Sequence, residues 1–156
     1  MSTLLDYLNR TYDVMAYQGV RARGDALLRP ALFDEQTGGT ICTGIQKLAQ
    51  RFLIEFLTEK GSLPYRPLRG SSFMEQLRQG YLRTDTDVRI AFTFAIGEIG
   101  AQLVAEESAT DPDDERYVAA ELVGIAVAPG SATLSVTLTS RAGTSRAVIL
   151  PIDTIV

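Results

Sequence analysis

The chain contains no histidine. That absence removes the commonest general base, and it excludes Ser-His-Asp catalysis, Cys-His catalysis and every His-ligated metal centre. A single cysteine, Cys42, leaves no internal disulfide to form, which suits a reducing compartment. Cys42 precedes an apolar helix and reads as a small buried residue, since a nucleophile would want a base nearby. No apolar run approaches the roughly 18 residues that cross a bilayer, so no membrane contact is expected. The opening residues, MSTLLDYLNRTYDVM, carry an acid and no basic leader, so no secretory signal is expected either.

Basic residues are never gathered into a patch. The net charge is −4, unevenly spread. Residues 36–97 hold eight basic and five acidic groups, whereas residues 98–121 hold eight acids and one arginine. Scattered arginines argue against nucleic-acid binding. The acidic band points instead to a polar protein contact.

What is present is an ordinary globular composition, 46% apolar and 22% charged over 156 residues, enough for one domain with a real core. Residues 2–10 read as a short helix presenting Leu4, Leu5 and Leu8. Residues 1–37 otherwise read as an arm, with a strand near Val14–Gln18, and Gly38-Gly39 as a turn. A helix follows from about Thr43 as N-cap. Ile45, Leu48, Ala49, Phe52 and Phe56 lie on its inner face, Lys60 sits near its C-terminus, and Gly61 is its stop. Pro64 and Pro67 hold an extended segment that turns at Gly70. Ser71 or Ser72 caps a short helix to about Gln79, and Ser72 with Glu75 has capping-box spacing. A long helix runs from Thr84 or Thr86 to about Glu107, with Val88, Phe92, Ala95, Ile96, Ile99 and Leu103 as its core stripe. Gly97 and Gly100 cost that helix about 1 kcal/mol each, which either a close backbone approach or a kink would explain.

After the polar loop SATDPDDE the period changes from 3.6 to 2. Glu121–Val127 is apolar on both faces, as a central strand would be. Thr133–Thr139 alternates, with Leu134, Val136 and Leu138 in and Thr133, Ser135, Thr137 and Thr139 out. Ala147–Ile152 is a third strand, weakened at one end by Pro151. Short turns at Pro129-Gly130 and Arg141–Thr144 make a three-stranded antiparallel meander. The fold class is therefore α+β: an arm over residues 1–37, then a single domain over 38–156 with helices packed on a small C-terminal sheet. A sheet edge with few charges is a candidate for pairing with another chain.

The chemical motifs are thin. GGTICTGIQK lacks the adjacent Gly-Lys-Ser/Thr of a phosphate loop. DPDDE lacks the alternation, glycine and distal glutamate of a calcium loop. Glu106 and Glu107 are neighbours that diverge on a helix and make a poor acid–base pair. No cofactor, metal or catalytic residue is expected, and an enzyme reading is not favoured.

The order of Gly38-Gly39, Leu57-Thr58-Glu59-Lys60-Gly61, Pro67-Leu68-Arg69-Gly70-Ser71, a long helix and a terminal meander resembles the sheath-initiator family. These are small baseplate wedge proteins of contractile phages, pyocins and type VI secretion baseplates. The likeness covers most of residues 38–152. It implies a structural virion protein of the tail baseplate, assembled in the host cytoplasm, whose sheet docks the first sheath ring by strand addition. The partners implied are sheath subunits, baseplate wedge proteins and the tail tube. The family's Glu-Pro-Arg corresponds to Asp114-Glu115-Arg116 here, without the proline, and implies an anchor facing the wedge's helical bundle. The sheath-facing residues implied are Thr133, Ser135, Thr137, Thr139, Ala147, Val148, Ile149 and Leu150. A terminator or connector of the tail or head is the alternative structural role.

Overall fold

A computed structural model describes residues 11–14, 41–128 and 131–153. The elements run β1 (Asp13–Val14), β2 (Ile41–Cys42), α1 (Gly44–Leu57), α2 (Phe73–Arg78), α3 (Asp85–Ala105), a 3-10 turn (Asp113–Glu115), β3 (Tyr117–Ala128), β4 (Ser131–Ser140) and β5 (Ser145–Asp153). The expected helix at 2–10, strand residues 15–18 and turns at Gly38-Gly39 and Pro129-Gly130 lie outside the described residues. The α+β class stands: helices precede a three-stranded antiparallel sheet of order β3-β4-β5.

The core lies between α1, α2, α3 and one face of that sheet. Four phenylalanines form its centre. Phe56 meets Phe73 at 4.9 Å between ring centroids, Phe92 at 5.6 Å and Phe52 at 5.9 Å, in tilted pairs suited to the ring quadrupoles. The sheet contributes Ala120, Leu134, Val136, Leu138, Val148, Leu150 and Ile152. The alternation of β4 is as its sequence predicts, with Leu134, Val136 and Leu138 buried and Thr133, Ser135, Thr137 and Thr139 half-buried on the other face.

Several boundaries differ from the sequence expectation. Helix α1 stops at Leu57, well before Gly61. The Thr58 N–H and hydroxyl both bond back to the Ile54 carbonyl, at 3.0 and 2.6 Å, and Thr58 turns extended. Glu59 then pairs with Ser71 in a parallel bridge. Gly61 does adopt positive φ, but in the following turn. Ser72 makes no capping box, because its N–H and hydroxyl are taken by Glu98 of α3. The capping box forms instead at the start of α3, where Thr84 and Asp87 exchange bonds. The Thr84 hydroxyl and N–H hold the Asp87 carboxyl below its usual range.

The reading of Glu121–Val127 as a central strand is also corrected. Among the described residues β4 is central and β3 is an edge strand. β3 reads as apolar on both sides because Ala120 enters the core while Val118 and Val123 face outward. The register shifts between Leu122 and Gly124, leaving Val123 as the extra residue of a bulge.

Helix α3 has the length and apolarity that a membrane crossing requires, although no unbroken apolar run does. Val88, Phe92, Ala95, Ile99 and Leu103 account for one side, buried against the rest of the protein. Of its two interior glycines, Gly100 has a packing reason: a Cβ there would come within 2.8 Å of the Tyr117 ring. At Gly97 a Cβ would meet nothing within 4 Å.

Candidate docking surfaces

The arm between α1 and α2 is fastened by one side of α3. Glu98, Gln102 and Glu106 recur four residues apart on that helix, so they line up along one face. Glu98 binds Lys60 at 2.7 Å and takes both Ser72 bonds at 2.9 Å. Burial alone would raise the Glu98 carboxyl, but the Lys60 ammonium and the Ser72 donors together hold it below the usual glutamate range. Gln102 binds both main-chain groups of Gly70. Glu106 lies 3.5 to 3.6 Å from Arg51, Arg66 and Arg69. Arg69 also pairs with the buried Glu55 of α1, a bond that raises the guanidinium's affinity for its proton.

Gly70 is obligatory in this mount. Its φ is +97°, and a Cβ would stand 2.3 Å from the Thr58 carbonyl oxygen. So held, the arm displays Tyr65 almost fully and Leu68 largely to solvent, across turns closed by Arg66 N–H to Leu63 and Arg69 N–H to Arg66, both 3.0 Å.

The second assembly surrounds the 3-10 turn. Glu115 is 2% exposed. Its Oε1 accepts the Gly44 N–H at 3.2 Å, and its Oε2 binds Lys47 at 3.0 Å and the Thr11 hydroxyl. Glu115 is therefore the cap of α1: Thr43 makes no side-chain cap bond, and a carboxylate suits a helix N-terminus. Arg116 also turns inward. It donates to the Ser108 and Ala109 carbonyls at 2.9 and 2.8 Å and lies 3.6 Å from Asp113. Asp114 is half-buried and engaged within the chain. Of the trio expected to face a wedge bundle, Glu115 joins α1 to the entrance of the sheet, and Arg116 holds the loop before it. Spacing along the chain gave no sign of it, because Gly44 and Lys47 reach Glu115 from about 70 residues away.

The charge asymmetry has the same explanation. Acids of the later band, Glu98, Glu106 and Glu115, neutralise Lys47, Lys60, Arg51, Arg66 and Arg69 of the basic first part. Part of the N-terminal arm joins this assembly. β1 pairs with β2, and Asp13 accepts from Gln50 at 2.9 Å. Cys42 lies beneath, buried, its thiol pushed up by desolvation and then by the Asp13 charge.

The sheet presents the third surface. Thr133, Ser135, Thr137 and Thr139 lie on the central strand, with β3 on one side and β5 on the other. They offer a face and not an edge. Val148 and Leu150 point into the core, so only their main chain can reach a partner, whereas Ala147 is exposed and Ile149 half-buried. β3 carries one charged residue, Glu121, in twelve, and has exposed Val118 and Val123. Among the described residues β4 is its only strand partner.

Neither family models nor known proteins nor solved structures provide a match to this chain. The arrangement holds no group of His, Cys, Asp and Glu residues able to take a metal among the described residues. Its chemistry is that of fastening: buried carboxylates tied to cations and backbone donors, under a sheet with an apolar edge.

Proposed function

We propose that this chain is a structural baseplate protein that starts a contractile sheath, docking the first ring of sheath subunits by strand addition to its meander. One observation carries the reading: β3 is a twelve-residue edge strand with a single charge and two outward valines. Soluble domains usually blunt such an edge with lysine, proline or a covering element. Here the register shifts at both Val118 and Val123, but the strand keeps its apolar outward side chains. Strand addition would use main-chain hydrogen bonds for affinity and alternate side chains for register. The incoming strand would lie next to β3, with β4 and then β5 beyond it in the extended sheet.

The rigid mount supports the same reading. A platform that receives the first subunit of a large assembly must hold its geometry before the partner arrives, since preorganisation lowers the ordering cost of binding. The Glu115 joint fixes the sheet to α1, and the α3 side chains fix the proline arm to both helices. The tube and wedge proteins would hold the helical side, away from the sheet.

The test uses the full chain with purified sheath subunits. Sheath polymerisation should begin on the intact protein. Val118→Lys with Val123→Lys should suppress it while leaving the circular dichroism spectrum and melting temperature unchanged, because both side chains already face solvent. Equal nucleation by the double variant, or no binding of sheath subunits by the intact protein, overturns the proposal.

A further inference from the structure

The outward side of α3 carries a second apolar stripe that the fold does not use. Ile90, Phe94, Gly97, Ala101 and Val104 recur at alternating spacings of four and three residues, the period of a coiled-coil seam. Ile90 and Val104 are each 53% exposed and Phe94 is 66% exposed; Gly97 and Ala101 are exposed as well. The Thr93 hydroxyl beside them is bonded back to the Arg89 carbonyl at 2.8 Å. Gly97 is the second observation. It costs the helix about 1 kcal/mol relative to alanine, yet no atom of the described chain lies close enough to require it. A small residue at the middle of an exposed seam is what a close helix approach from outside would demand.

We propose that α3 pairs antiparallel with α3 of a second copy of this chain, about a two-fold axis at Gly97. The stripe is self-complementary in that arrangement. Ile90 and Val104 lie seven residues either side of Gly97, so each Ile90 meets the other copy's Val104. Phe94 falls over the gap between the other copy's Gly97 and Ala101, where no large side chain fills the space. A parallel pair would set Phe94 on Phe94 and glycine on glycine, giving a clash beside a void. The seam from Ile90 to Val104 spans about 21 Å at 1.5 Å per residue. A contact of that length gives a weak, concentration-dependent dimer. This inference is independent of whether the chain starts a sheath.

Sedimentation equilibrium on the full chain tests it, from about 1 μM to about 1 mM. The expected result is a monomer–dimer equilibrium, with Phe94→Glu weakening dimerisation about tenfold or more and leaving the circular dichroism spectrum intact. Single-cysteine chains then report orientation, the native Cys42 being buried. Ile90→Cys mixed with Val104→Cys should crosslink through a short thiol reagent, while neither variant should crosslink alone. A monomer at every concentration overturns the proposal. So does self-crosslinking of Val104→Cys alone, which reports a parallel pair, or a dimer that Phe94→Glu leaves unchanged.

Discussion

The side-chain amide of Gln102 brackets the backbone of Gly70. Its Oε1 accepts the Gly70 N–H at 3.0 Å, and its Nε2 donates to the Gly70 carbonyl at 2.9 Å. Two orphan backbone groups in a loop are satisfied by one helix residue, and the loop is thereby set against α3. Gln102→Leu should leave both groups unpaired and cost about 1–3 kcal/mol. Gly70→Ala should cost at least as much, because the new Cβ would collide with the Thr58 carbonyl. Denaturant unfolding of the two variants measures both losses.

Glu115 should prove structural before it proves anything else. Glu115→Ala removes the α1 cap and leaves Lys47 without its carboxylate. The expected loss is about 2–4 kcal/mol, given that Glu115 is buried and Lys47 largely so. Asp113→Asn should fall within about 0.5 kcal/mol, since Asp113 is exposed and lies 3.6 to 3.7 Å from its two arginines. A thermal melt of each variant separates the joint from its surface neighbours.

The two glycines of α3 should respond in opposite directions. Gly100→Ala drives a methyl into the Tyr117 ring and should destabilise the protein by about 1–3 kcal/mol. Gly97→Ala meets nothing and should stabilise the monomer by about 0.5–1 kcal/mol through helix propensity. Measurements at low protein concentration keep the second result free of any self-association.

Acid should loosen the mount. Glu98 and Asp87 have folded-state values below their ordinary ones. Their contributions are complete above the unfolded pKa and are lost as pH falls through the folded one. Stability should therefore decline from about pH 4.3 downward. Glu98→Gln should flatten part of that decline while lowering stability at neutral pH. Denaturation midpoints between pH 3 and pH 7 test the slope, taking about those limits to bracket the carboxylates.

Cys42 should be inert in the folded protein. It is buried and its thiol is pushed up by desolvation, so little thiolate exists to react. A thiol reagent should label it only under unfolding conditions, and prompt labelling of native protein would contradict the burial.

Much of the fold could be read from spacing alone. The start of α1 was legible from Thr43, that of α3 to within Thr84 or Thr86, and the inner stripe of α3 from its 3.6-residue period. The alternation of β4 announced its two faces. These are local signals, carried by residues within a few positions of one another. The misreadings arise where another contact outbid the expected local rule. Ser72 has a capping-box partner in Glu75 but is taken by Glu98. Gly61 looks like a helix stop, yet Thr58 ends α1 first and the chain then pairs with Ser71. Of the candidate site, the polarity of Asp114-Glu115-Arg116 was visible but its direction was not.

By itself the sequence determined that this is an α+β domain without histidine chemistry, built from amphipathic helices and a three-stranded meander. Composition and periodicity suffice for that, because burying apolar stripes leaves few solutions. Only the tertiary structure decided which charges are spent inside. It placed Glu115 under α1, set Glu98, Gln102 and Glu106 against the arm, and put β3 at the edge. It also left one seam of α3 facing outward. Hydrogen bonds and ion pairs act over a few ångströms, so they depend on contacts that only the folded chain brings together.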